Sequence, residues 1–228
     1  MGRVGAAALL AFGLSGALAA CGLLGSTAST IGSGTSLASQ GSGLSSAAVP
    51  DFSGDDDAEE APIGRICGNR ALRGQVMPEI EGEGICGVEK PVRVVSVDGI
   101  LLMPQPTVTC DTANALAGWV ENAVKPVFER RGDPLRSIEI ASHYMCGPAD
   151  APGHNTGEAL DISAFGLESG EAYVVGRDWP DPERGAALAA LHGSACGAFS
   201  STRTPVPGGA TMAALHYDVT GPGQFDCR

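Results

Sequence analysis

The chain has 228 residues, a formal net charge of −12 and a pI near 4.6. That acidity excludes nucleic acid and anionic lipid headgroups as partners for the body of the protein. Aromatic residues are only 5% of the chain, too few for a broad sugar-stacking platform, and the length suits one domain with additions or two small ones.

Residues 1–20 read as a signal peptide. Arg3 supplies the positive start, and Val4 to Ala20 is apolar and rich in Ala, Leu and Gly, too short and too small-residued for a membrane span. Leu18-Ala19-Ala20-Cys21 follows the order of a bacterial lipobox, in which the cysteine becomes the lipidated first residue. The alternative is an ordinary secretory signal with a chance cysteine. Gly22 rather than Asp follows Cys21, which by Gram-negative sorting rules points to the outer membrane, facing the periplasm. Residues 21–65 read as a tether: Gly22 to Val49 is Ser, Gly, Ala and Thr without periodicity, and Asp55-Asp56-Asp57 with Glu59-Glu60 adds an acidic run. About 40 such residues have an r.m.s. reach of some 35 Å, enough to hold a domain clear of a membrane.

With Cys21 lipidated, Cys67, Cys86, Cys110, Cys146, Cys196 and Cys227 remain. An even number in an exported chain predicts disulfides, and the spacing does not choose the partners. No Cys-x-x-Cys pair supports a cysteine zinc site.

Order is expected from about Cys67. Val92 to Val97, then Asp98-Gly99, then Ile100 to Met103 predicts a hairpin on a type I′ turn. Asp111 to Arg130 carries Ala113, Leu116, Trp119, Ala123 and Val127 at helical spacing. Pro126 should disturb that helix, and Trp119 reads as a core anchor. Ile138 to His143 and Ala159 to Phe165 alternate as strands, the second placing Asp161 and Ser163 opposite Leu160 and Ile162. Glu171 to Gly176 is a further strand. Asp181-Pro182 opens a helix running to about Cys196. Leu215 to Thr220 closes the chain as a strand. The mixture predicts α+β, a small antiparallel sheet with flanking helices.

The chemistry concentrates in His154, Asp161 and His216. Gly157 favours a turn, placing His154 on a loop and Asp161 on the strand after it. His216 completes the set if the last strand lies beside that one. Two imidazoles and a carboxylate make a three-ligand zinc site with a fourth position left open, the arrangement of catalytic zinc. Asp218 shares the face of His216 and is placed to orient an imidazole. Singly, each residue has a plain structural reading as surface, core or turn cap.

His154-Asn155-Thr156-Gly157-Glu158-Ala159-Leu160-Asp161-Ile162-Ser163-Ala164-Phe165, with Tyr144-x-Cys146, Trp179, Ala195-Cys196-x-x-Phe199 and His216-x-Asp218, resembles the extensin-like C-terminal domain of exported bacterial proteins. The resemblance assigns residues 66–228 to that domain, with its core from 86. The domain is similar in turn to the zinc D-Ala-D-Ala peptidases and murein endopeptidases, which implies their small α+β fold, zinc on His154, Asp161 and His216, and a peptidoglycan peptide as substrate. The chain departs from the pattern at four positions. Ala214 replaces the first histidine of the late pair, and Ala213 stands where related peptidases carry an acid. Gly147 replaces a substrate-binding arginine, and Pro152 a serine. Glu158 and His143 are the remaining candidates for the proton acceptor, although alternation sets Glu158 opposite Asp161. Two functions are therefore expected: a zinc site that acts on or binds peptidoglycan peptides, or a non-catalytic structural or protein-binding envelope lipoprotein.

Overall fold

The hairpin at Asp98-Gly99 forms as its sequence predicts, with both residues at positive φ (47° and 84°) and Val97 paired with Ile100. The structure is a computed structural model that describes residues 61–147, 153–205, 213–221 and 226–227. The signal sequence, Cys21, residues 22–60 of the expected tether with its acidic run, and Pro152 lie outside them; residues 61–65, expected as the end of the tether, are described, and Gly64–Arg65 is a strand. Among the described residues no helix is long and apolar enough to cross a membrane.

In chain order the strands are β1 (Gly64–Arg65), β2 (Leu72–Val76), β3 (Ile80–Glu81), β4 (Gly87–Val88), β5 (Val92–Val97), β6 (Ile100–Met103) and β7 (Thr107–Val108). Helix α1 (Cys110–Trp119), a π-helical turn (Val120–Val124) and helix α2 (Lys125–Arg130) follow, then β8 (Leu135–Ser142), a 3-10 turn (His154–Thr156), β9 (Ala159–Leu167) and β10 (Ala172–Val174). Helices α3 (Val175–Asp178) and α4 (Arg184–Ser194) precede β11 (Ser201–Arg203), β12 (Leu215–Asp218) and β13 (Asp226–Cys227).

The α+β class holds, but the sheet is neither small nor purely antiparallel. Among the described residues eleven strands join one sheet, ordered β1-β2-β5-β6-β8-β9-β12-β11-β13, with β7 on β5 and β10 on β9. β6 and β8 run parallel, as do β11 and β13. The physical reason is the crossover. The chain leaves β6, builds the helical segment 110–130 and returns beside β6, which forces parallel pairing.

That helical segment begins as a capped helix, the Thr109 side chain accepting from the N–H of Thr112. Pro126 disturbs it as expected, and the disturbance takes the form of the π turn just before it, with Lys125 N–H reaching back to Val120 O. A proline cannot donate to the preceding turn and its ring crowds the carbonyl there, so the widened turn absorbs the conflict. Trp119 is 2% exposed and stands 5.0 Å from the Tyr217 ring. Its indole N–H points at Leu191 O and Ser194 Oγ. Around it Phe128, Phe165, Phe199, Leu160 and Ile162 fill the core between helices and sheet. α4 starts later than Asp181-Pro182 suggests, with Glu183 at its N-cap, and Asp181 Oδ1 two residues before it accepts from the N–H groups of Glu183 and Arg184.

Three disulfides resolve the pairing left open by the sequence: Cys67–Cys110, Cys86–Cys146 and Cys196–Cys227, closing separations of 43, 60 and 31 residues. On the chain-entropy account each restricts the unfolded chain by roughly 4 kcal/mol.

Candidate metal centre

Sheet register builds the site. β12 pairs antiparallel with β9 so that His216 lies opposite Asp161, Asp218 opposite Ala159, and Tyr217 opposite Leu160. Directly opposed residues share a face. Leu160, Ile162, Leu215 and Tyr217 therefore enter the core, while Asp161, His216 and Asp218 stand on the other side of the sheet. β8 contributes Ser142 opposite Asp161.

His154 comes from the 3-10 turn that ends at Gly157, whose φ of 70° is left-handed. The turn is fastened at both ends. Gly153 O accepts from the N–H groups of Glu158 and Ala159, and Gly157 O accepts from the Thr109 N–H (2.8 Å) and the Thr112 hydroxyl (3.0 Å). Asn155 is 1% exposed and its Oδ1 accepts from the N–H of Gly147. It ties the turn to the segment after β8, which the Cys86–Cys146 bond holds to the β3-β4 ribbon. The space at 157 is tight, since a Cβ there would sit 3.2 Å from Val88 Cγ2 and 3.4 Å from Thr109 N, and the φ of 70° is one that side chains rarely adopt. Gly157→Ala is expected to destabilise the domain by about 1–2 kcal/mol, from the left-handed conformation alone, read as a lower midpoint in denaturant unfolding. An unchanged midpoint would show that the turn does not need its glycine.

The three candidate ligands converge. One ligand atom from each of His154, Asp161 and His216 lies within 4.8 Å of the others. His154 Nε2 is 3.4 Å from Asp161 Oδ2, and His216 Nδ1 is 2.8 Å from Asp161 Oδ1. A tetrahedral zinc with bonds of about 2.1 Å has ligand-to-ligand edges of about 3.4 Å, so the donor set fits that ion. The tautomers fit as well. His154 Nδ1 lies 3.0 Å from the carbonyl oxygen of His143, the acceptor that takes its N–H and leaves Nε2 bare. His216 Nε2 faces Asp218 Oδ2 at 3.3 Å, which leaves Nδ1 bare toward Asp161. Asp218 is itself fixed, its Oδ1 accepting from the N–H and hydroxyl of Thr220. Carboxylate or carbonyl oxygens behind both imidazoles are the outer partners that metal-binding histidines need.

Without an ion the same groups form a charge cluster. Burial disfavours the His216 imidazolium, yet the hydrogen bonds it donates to Asp161 and Asp218 outweigh it and push its pKa up to about 9. Burial pushes the Asp161 carboxyl up, while hydrogen bonds from His154 and His216 hold it below its ordinary value. Asp218 is lowered in the same sense, by His216 and Thr220 against the opposing effect of burial.

The two candidate proton acceptors are engaged elsewhere. Glu158 Oε2 accepts from the Thr156 hydroxyl at 2.6 Å. His143 Nδ1 accepts from the N–H of Thr107, and burial first, then the neighbouring charge of His154, keeps this imidazole's pKa low. Ala213 is exposed and Ala214 buried, and neither moves a proton. Sequence reasoning missed Asn155, Thr109 and Thr112 as holders of the turn. Their hydrogen bonds span 8 residues for Asn155 to Gly147 and 45 for Thr112 to Gly157, so no local spacing announces them.

The family model described as Extensin-like protein C-terminus matches residues 67–228. The chain belongs to the extensin-like C-terminal family. No curated protein and no solved structure matches it. The family match opens at Cys67, the first cysteine of the Cys67–Cys110 bond, and so takes in all three disulfides of the extensin-like domain.

Proposed function

We propose that this extensin-like domain is a zinc-dependent receptor for peptidoglycan peptides, exported and anchored to the bacterial outer membrane through Cys21. The observation that carries the reading is the convergence of His154, Asp161 and His216 with an outer acceptor behind each imidazole. Zinc bound there would supply a Lewis acid that polarises a carbonyl and lowers the pKa of water. His154, Asp161 and His216 would hold the ion, with the His143 carbonyl and Asp218 setting the tautomers of the two imidazoles. The resemblance of the His154, Asp161 and His216 motif to that of the zinc D-Ala-D-Ala peptidases supports this ligand class. A groove of about 550 Å³ beside the His154 turn, lined by Glu79, Glu81, Ile85, Glu89 and Thr156 among others, adds room for a peptide.

Binding rather than rapid hydrolysis is favoured by a specific observation. Alanines occupy 213 and 214, and Glu158 and His143 are turned to other partners. General acid–base help is worth about 10²–10⁴-fold in rate, so a site without it hydrolyses slowly. The test is metal analysis of the purified mature chain, followed by muropeptide binding with and without zinc. One zinc per chain, lost in His154→Ala, with binding that vanishes on chelation, is the expected result. A chain with no zinc and unaltered muropeptide binding would replace this reading with a structural envelope protein.

A further inference from the structure

We infer that Arg203 is the specificity determinant of this site, gripping the terminal carboxylate of a peptide whose neighbouring amide lies over the metal ligands; the inference rests on the zinc-dependent recognition proposed above. β11 pairs antiparallel with β12 so that Arg203 lies opposite His216 and Ser201 opposite Asp218. One row therefore crosses four strands on the site face: Ser142, Asp161, His216 and Arg203. Adjacent strands are about 4.8 Å apart, which puts the Arg203 backbone one strand from His216 and two from Asp161. Thr202, between Ser201 and Arg203, points the other way, opposite Tyr217, and is 1% exposed. The alternation along β11 thus commits Arg203 to the face that carries the ligands.

What sets Arg203 apart from other arginines that have no partner among the described residues, such as Arg65, Arg73 and Arg136, is its place in the row that carries the ligands. Arg177 is fastened to Asp178, and Arg184 and Arg131 lie between Tyr173 and nearby acids. Arg203 is exposed and has no ion-pair or hydrogen-bond partner among the described residues. In a chain of net charge −12, a cation standing beside the site without a carboxylate has its guanidinium fork available. With zinc present, Asp161 and Asp218 balance the two charges of the ion. Arg203 then adds one positive charge, directed at an anionic group next to the metal. A guanidinium meets a carboxylate through two parallel N–H bonds, which selects a planar anion by shape as well as charge. Ser201 gives the same face a second donor, its Oγ buried without a partner beside Asp218.

The test compares binding of acetyl-D-alanyl-D-alanine and its C-terminal amide to the zinc-loaded full mature chain, by calorimetry. The wild type is expected to prefer the carboxylate form. Arg203→Met is expected to weaken that form about tenfold or more while leaving the amide form, zinc content and thermal midpoint unchanged, and Arg203→Lys to recover part of the loss. Equal affinity for the two forms in wild type and Arg203→Met, with zinc retained, would overturn the role of Arg203 alone. A wild-type chain that takes up no zinc would overturn the metal reading and this inference with it.

Discussion

Asp161→Ala is expected to abolish useful zinc binding. The carboxylate is the hub of the cluster, within 3.4 Å of His154 Nε2 and 2.8 Å of His216 Nδ1. Losing an outer partner of a zinc ligand typically costs about 10–100-fold in affinity. Loss of a ligand that also neutralises half the charge of the ion should cost more than that upper figure. Competition against a chromophoric chelator measures it directly. Asp161→Asn separates the causes, since the amide keeps the shape and an acceptor oxygen but not the charge, and is expected to bind zinc between the two. The metal-free fold should also weaken in Asp161→Ala, because two buried imidazoles lose an acceptor, at roughly 1–3 kcal/mol for each group left unsatisfied. Undiminished zinc affinity in Asp161→Ala would remove this residue from the ligand set.

The metal-free and zinc-loaded proteins are expected to respond to pH in opposite directions. In the metal-free domain the imidazolium of His216 is favoured, with a pKa of about 9. A group raised in this way gives its full stabilisation below about pH 6.5, the value of a free histidine. The stabilisation fades as pH rises and is gone above about 9. Asp161 and Asp218, both lowered, contribute above about pH 4 and lose their contribution as acid protonates them. Metal-free stability is therefore greatest between those limits. Zinc requires His216 Nδ1 without its proton, so uptake displaces that proton. Apparent zinc affinity should rise close to tenfold per pH unit from about 6.5 towards 9, roughly 10²–10³-fold across the interval. Titration at pH 7 in buffers of different protonation enthalpy should find about one proton released per zinc. A zinc affinity flat from pH 6.5 to 9 would contradict the arrangement of His216 between two carboxylates.

The chain gives away those parts of the fold that are long, periodic or punctuated. Asp98-Gly99 between apolar runs announces its hairpin, and the apolar spacing of 111–130 announces a helix. The strand, helix, strand order around that segment already carries the parallel crossover that sets β8 beside β6, which is where the expectation of a purely antiparallel sheet goes astray. The short strands β1, β7 and β13, two residues each, are below the length at which period-2 alternation is visible, so the sheet is wider than expected, and the same holds for β3 and β4, which pair apart from it. The π turn before Pro126 follows from proline sterics, but its form does not. At the site, alternation predicts that Asp218 shares a side with His216. The opposition of His216 and Asp161 is a register between strands 55 residues apart and is visible only in three dimensions. Arg203 is silent in the sequence for the same reason: it sits on a three-residue strand with no motif around it.

The alternation of β12 has a consequence for how such a chain tolerates change. Tyr217 fills the core while His216 and Asp218 stand on the far side, and backbone pairing is indifferent to which set faces which way. A single codon inserted or deleted at the start of the paired strand itself, within Leu215–Asp218, would turn over the residues that follow, driving the phenol outward and ionisable groups into the hydrophobic interior. A point substitution removes one contact, whereas this lesion inverts every following contact of the strand at once. Length variation among natural homologues should accordingly be shut out of this stretch and gather in the connections on either side.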